Sequence, residues 1–170
     1  MSLDAAVITA IFEGEGSSVL QWEAGTRCVC LSDDSKQPAW TANPPAGCEC
    51  GGHGVIYASP VAIVGLFRSQ SRFMSPRPQG ELDHGEASLT TPKMPVPIAG
   101  TTYPGCQPGY TDRRVRDRFT VAVEPASDAA DDRVFYPAAK AVPFFVGNEH
   151  LAWRVQLQSL SQINRGAPQP

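Results

Sequence analysis

The chain has 170 residues, 42% of them apolar and 18% charged, with 15 glycines and 16 prolines, a balance that suits one domain of strands and long loops and excludes a chain disordered throughout. Its formal charge of −3 argues against a surface built to grip nucleic-acid phosphates. No run approaches the roughly 18 apolar residues of a membrane span and no basic segment precedes an apolar stretch as in a signal peptide, so the chain is expected to stay in a reducing cytoplasm.

Leu3, Val7, Ile8 and Ile11 recur at helical spacing behind Ser2, a residue able to cap, and predict a short N-terminal helix ending at Glu13-Gly14-Glu15-Gly16. Ser17 to Ala24 reads as a strand with Leu20 and Trp22 on one face. A cysteine-rich insertion over 25–54 follows within a single β domain spanning 1–170, and its middle, Ser32 to Gly47, is polar and proline-rich loop. Val55 to Phe67 is β-branched and aromatic but broken at Ser59-Pro60, so it predicts two strands or one bent strand. Ser69 to Gln79 reads as a polar loop and Glu81 to Glu86 as a hairpin-like turn at Gly85. Thr91 to Gly109, dense in proline and glycine, reads as a long irregular loop.

The clearest strands come late. Phe119, Val121 and Val123 alternate with Arg118, Thr120 and Ala122, and Leu151, Trp153, Val155 and Leu157 alternate with Ala152, Arg154, Gln156 and Gln158. Period two with one polar face marks a half-exposed antiparallel sheet. The parity slips after Leu157, with Ser159 as the candidate bulge, and Arg133 to Tyr136 and Val142 to Val146 add two more strands. The expected fold is mainly β, an antiparallel barrel or sandwich with a short N-terminal helix and a small cysteine-rich loop module. The segment after Ile163 reads as a fraying tail.

Chemistry concentrates in Cys28-Val29-Cys30 and Cys48-Glu49-Cys50-Gly51-Gly52-His53-Gly54. Two close pairs of thiolates separated by a loop are what a tetrahedral Zn²⁺ requires, and the following glycines let backbone amides turn toward the sulfurs. One residue separates the members of each pair where zinc knuckles carry two or more. The residues alone therefore leave open Zn²⁺ on Cys28, Cys30, Cys48 and Cys50, an iron–sulfur cluster, disulfides between the pairs, reduced thiols, or a site that has lost its metal. His53 is a substitute ligand, and Cys106, alone in the proline-rich segment, is read as a bystander.

Other clusters have plainer readings. Glu81, Asp83, His84 and Glu86 form a solvated hairpin tip, and His150 beside Glu149 reads as a turn residue. Arg113, Arg114, Arg116 and Arg118 look at first like a nucleic-acid patch. Asp112 and Asp117 dilute it, and alternation puts Arg114, Arg116 and Arg118 on one strand face suited to an interface between protein subunits. A Cys/His nucleophile needs a base oriented by a third group, and neither a nucleophile signature nor a phosphate-cradling glycine loop is visible, so the chain reads as non-enzymatic.

The run Arg27-Cys28-Val29-Cys30 … Cys48-Glu49-Cys50-Gly51-Gly52-His53-Gly54-Val55-Ile56-Tyr57 resembles a pattern in tailed-bacteriophage head–tail connector proteins of the head-closure or stopper type. Gly80 to Gly85 with Leu89-Thr90, Asp117-Arg118-Phe119 and Asp132-Arg133-Val134-Phe135-Tyr136-Pro137 are similar to the same pattern, so the likeness touches about half the chain. The resemblance implies a small β-barrel that assembles with itself into a homo-oligomer ring beneath the portal and adaptor. The tail attaches to that ring, and DNA passes through it without specific binding. It further implies a virion protein, assembled in the host cytoplasm and not associated with a membrane. The alternative is a cytoplasmic zinc-binding module that recruits a partner protein.

Overall fold

In the computed structural model the described residues are 3–14, 16–31, 46–50, 54–69, 87–111, 115–121 and 134–159. Helix α1 (Leu3–Glu13) opens the chain. Among the described residues eleven strands follow: β1 (Ser17–Glu23), β2 (Gly25–Arg27), β3 (Val55–Tyr57), β4 (Val61–Ser69), β5 (Ala87–Pro92), β6 (Val96–Ile98), β7 (Thr101–Tyr103), β8 (Arg118–Val121), β9 (Val134–Pro137), β10 (Val142–Val146) and β11 (Glu149–Ser159). All pairings are antiparallel.

Six strands close on themselves in the order β11-β5-β4-β1-β8-β9, because β11 pairs with β5 and also with β9. The fold is therefore a barrel. Closure is possible because β11 is long: residues 152–157 face β5 while Leu157 to Ser159 meet β9. On the edge that β9 takes over, the earlier part of β11 pairs with β10, which thus leaves the barrel as a free edge strand. The β10–β11 register shifts between Phe144 and Phe145, where Leu151 of β11 is the extra residue, and the parity slip expected at Ser159 runs into residues outside the described ones.

Alternation sets the inside. Leu20, Ile63, Leu89, Phe119 and Leu157 are at most 1% exposed and form the barrel core with Val121, Val155 and Phe135. Phe67 meets Phe135 edge-on at 5.0 Å between ring centroids, a favourable aromatic geometry. On the outside, Ile8 and Phe12 of α1 bury Val64, Val96, Leu151 and Ala152. That cover is why Ala152, on the face expected to be polar and exposed, is buried.

Three expectations change. The stretch read as an irregular loop holds the end of β5 and a tight β6–β7 hairpin, whose turn residues Ala99 and Gly100 both take positive φ (48° and 83°), as a type I′ turn requires. Val96 is fully buried under α1, and the buried Thr91 Oγ1 donates to the Cys106 carbonyl at 2.7 Å. Proline at position 97 fits because this hairpin is two-stranded and each strand has a free edge. Cys106 is itself a core residue at 1% exposure, and burial pushes its thiol up with a smaller contribution from the Asp117 charge. His150 belongs to β11, its Nε2 2.9 Å from the Ala152 carbonyl oxygen and its ring edge-on to Trp153. Position 2, the loop and turn readings between positions 70 and 86, and the tail after Ile163 lie outside the described residues.

A candidate metal centre and its attachment to the barrel

The β2–β3 ribbon carries the cysteines. Gly25, Thr26 and Arg27 pair with Tyr57, Ile56 and Val55, so Cys28 follows one strand directly and Gly54 precedes the other. Cys28 N–H donates to the Gly54 carbonyl at 2.9 Å, extending the ladder by one rung. Leu31 N–H then donates to the Cys28 carbonyl at 3.1 Å, a turn that brings Cys30 back beside Cys28. The Arg27 guanidinium caps this turn on the Leu31 carbonyl at 2.9 Å.

All four Sγ atoms lie within 4.8 Å of one another. Cys30–Cys50, Cys48–Cys50 and Cys28–Cys48 are separated by 3.1, 3.5 and 3.8 Å. A tetrahedral ion with Zn–S bonds of about 2.3 Å has sulfur–sulfur edges of about 3.8 Å. The cluster can hold a metal ion. Gly54 N–H donates to Cys50 Sγ at 3.0 Å, the amide-to-sulfur contact expected of a glycine turn after the second pair. His53 lies outside the described residues.

Crowding splits the thiols. The Cys30 backbone amide lowers Cys28 to about 6 against the opposing effect of burial. Cys30 is pushed up to about 12, first by its hydrogen bond to Cys50 and then by burial. Burial raises Cys50, but hydrogen bonds from Cys30 and the Gly54 amide outweigh it and leave that thiol lowered. Thiolates this close repel one another unless a cation sits between them. Cys28 and Cys30 are buried, whereas Cys48 and Cys50 are half-buried.

The module is bolted to the barrel by Asp117, expected only to dilute the arginine cluster, and by Arg118. Asp117, 4% exposed, accepts from Trp22 Nε1 at 2.7 Å, Gly25 N–H at 2.9 Å and Gly109 N–H at 2.6 Å. It thereby ties the end of β1, the start of β2, the 104–111 segment and the entry to β8. Glycine is required at both backbone donors: a Cβ on Gly109 would lie 2.6 Å from the Asp117 carboxylate, and one on Gly25 would enter the Arg116 carbonyl. Arg118 forms two hydrogen bonds with Glu23 at 2.5 and 2.6 Å and lies 4.4 Å from the Tyr57 ring centroid. The signal for Asp117 was its position between two arginines at the start of a strand, which does not by itself reveal a buried acceptor.

The arginine face needs correcting. β8 begins only at Arg118, so Arg116 precedes the strand, in a single bridge with Tyr110. It is 9% exposed, donates to the Pro137 carbonyl at 3.0 Å and sits 5.3 Å from the Tyr136 ring centroid. Arg118 is committed to Glu23 and Tyr57, and Arg114 lies outside the described residues. Arg116 and Arg118 join parts of one chain rather than line an open face.

Fold and site together define a closed six-stranded β-barrel carrying a four-cysteine clasp. No protein-family model matches the chain, and no curated protein is significantly similar to it.

Proposed function

We propose that this chain is a non-enzymatic structural protein of a tailed-bacteriophage particle, a ring subunit at the head–tail junction whose clasp is held by Zn²⁺. The observation that carries the zinc assignment is the four-sulfur cluster, with three of its edges at 3.1, 3.5 and 3.8 Å and all within 4.8 Å. The junction reading rests on the cysteine-turn resemblance, and a closed barrel with an external helix is compatible with it. A subunit of net charge −3 suits a passage through which DNA slides, because each neutralised phosphate adds affinity and would retard ejection.

Deleting the gene in the phage tests the reading. The expected result is DNA-filled heads that leak DNA and separate tails that fail to join. Normal infectious particles would overturn it and make a zinc-held interaction module the leading alternative, favoured by the same four sulfurs. Elemental analysis of protein never exposed to chelator tests the metal, with about one zinc per chain expected. Four titratable thiols without metal would remove zinc from the proposal and leave the barrel reading standing.

A further inference from the structure

Helix α1 covers only part of the outer barrel face. Past Ile11 no described element covers the outward residues of β4, β5 and β11, and β10 rises along the far side as a wall. Between them runs a groove of about 400 Å³. Its floor at the helix end is apolar, built by Ile11, Leu66, Phe144 and Ala152. Farther along stand two exposed guanidinium groups, Arg154 across the groove from Leu66 and Arg68 one row beyond.

Register places these charges. Leu66, Thr90 and Arg154 form one cross-strand row, and Arg68, Ser88 and Gln156 form the next. The two arginines stand two strands apart, about 9–10 Å, and one row offset, about 7 Å along the strands. Arg154 sits 5.2 Å from the Phe144 ring centroid, so its charge borders the apolar floor. Among the described residues neither arginine has a carboxylate partner. The wall is apolar on its exposed side too: Val142, Phe145 and Val146 are 56%, 53% and 45% exposed on a strand that, among the described residues, pairs along one edge only.

An apolar floor bordered by exposed guanidinium groups matches a polypeptide with apolar side chains and carboxylates more closely than it matches a phosphate backbone, which offers no apolar surface to bury. We infer that the groove docks a segment of another protein chain in which apolar residues are flanked by Asp or Glu. None of the lining residues belongs to the cysteine clasp, so the site stands apart from the metal centre and from the phage reading.

Selection of a random displayed dodecapeptide library on the full-length protein tests the inference. Enriched sequences should pair an apolar or aromatic residue with at least two acidic ones. Fluorescence anisotropy of those peptides should show binding reduced by about tenfold or more in R68E/R154E and weakened by added salt. Thr90→Trp, which fills the middle of the groove without touching charge, should also block them. The melting temperatures of both variants check that the fold persists. Amide shifts in the labelled protein should map to Leu66, Thr90 and Ala152. Enrichment without acidic bias, equal binding by R68E/R154E, or a DNA oligonucleotide displacing the peptides from these residues would overturn the inference.

Discussion

The barrel and the clasp are held together by different physics. The barrel encloses large apolar side chains, Phe119, Leu20, Ile63, Leu89 and Leu157 among them, each at most 1% exposed. Fully burying a side chain of this kind is worth about 1.5–3 kcal/mol, so a handful outweighs the net stability of a typical domain before conformational entropy is subtracted. Among the described residues the clasp and its seat on the barrel bury a small cluster, Leu31, Val55 and Val115 with Tyr57 packed against them, beside the buried Cys28 and Cys30. Three such side chains offset the ordering of only a few residues. What the barrel obtains from area, the clasp obtains from its anchors on Asp117 and Arg118 and, on the proposed reading, from ligation.

The largest expected effect separates the two regions outright. Apparent binding free energies of structural zinc sites run to about 10–16 kcal/mol, so Cys50→Ser, or chelation of the native protein, should release the metal and unfold the clasp. Hydrogen exchange should show fast amides at 25–31 and 54–57 while β4, β5 and β11 stay protected. Loss of protection throughout the barrel would mean that the two regions fold as one unit. The converse change is Phe119→Ala in the barrel core, with a cost of about 3–5 kcal/mol in denaturant unfolding. Metal content at low denaturant should not change.

Asp117 lies where the regions meet, and its removal should weaken both. Asp117→Ala strands the Trp22 indole and two backbone amides, and each unsatisfied buried donor costs about 1–3 kcal/mol. Because the donors can relax together, a total of about 2–4 kcal/mol is expected. Faster metal loss to a chelator should accompany it. Full stability with normal metal retention would show that the clasp does not depend on this anchor.

The same contrast explains what was legible in the sequence. Strands with one apolar face were visible, so Val142–Val146 matches β10, and the alternation of Leu151 through Leu157 lies within β11. β5 was passed over although Ala87, Leu89 and Thr91 alternate with Ser88 and Thr90. Its inward Thr91 is polar and is satisfied only by the distant Cys106 carbonyl. The β6–β7 hairpin hid among prolines because Val96 is buried by a helix some 85 residues earlier in the chain. The four cysteines were legible as a group because ligand chemistry is local in residue type, and the structure brings all of them together. Arg116 does not follow the alternation because β8 begins only at Arg118.

The smallest effect gives a spectroscopic reporter of the boundary between the regions. Tyr57 belongs to β3, and burial pushes its phenol up to about 12, with the nearby Tyr136 phenol adding to the shift and the Arg118 and Arg116 charges opposing it. An acid whose folded-state pKa is raised favours folding below the ordinary tyrosine value of about 10, and that contribution fades as pH rises toward 12. Absorbance titration at alkaline pH, read as native protein minus Tyr57→Phe, should give a midpoint near 12 while the clasp is intact. With the metal stripped, the clasp opens, Tyr57 gains solvent, and the midpoint should fall toward about 10. A midpoint unmoved by metal removal would place the packing of Tyr57 in the barrel's account of stability, held by Arg118 and Glu23 rather than by the four sulfurs.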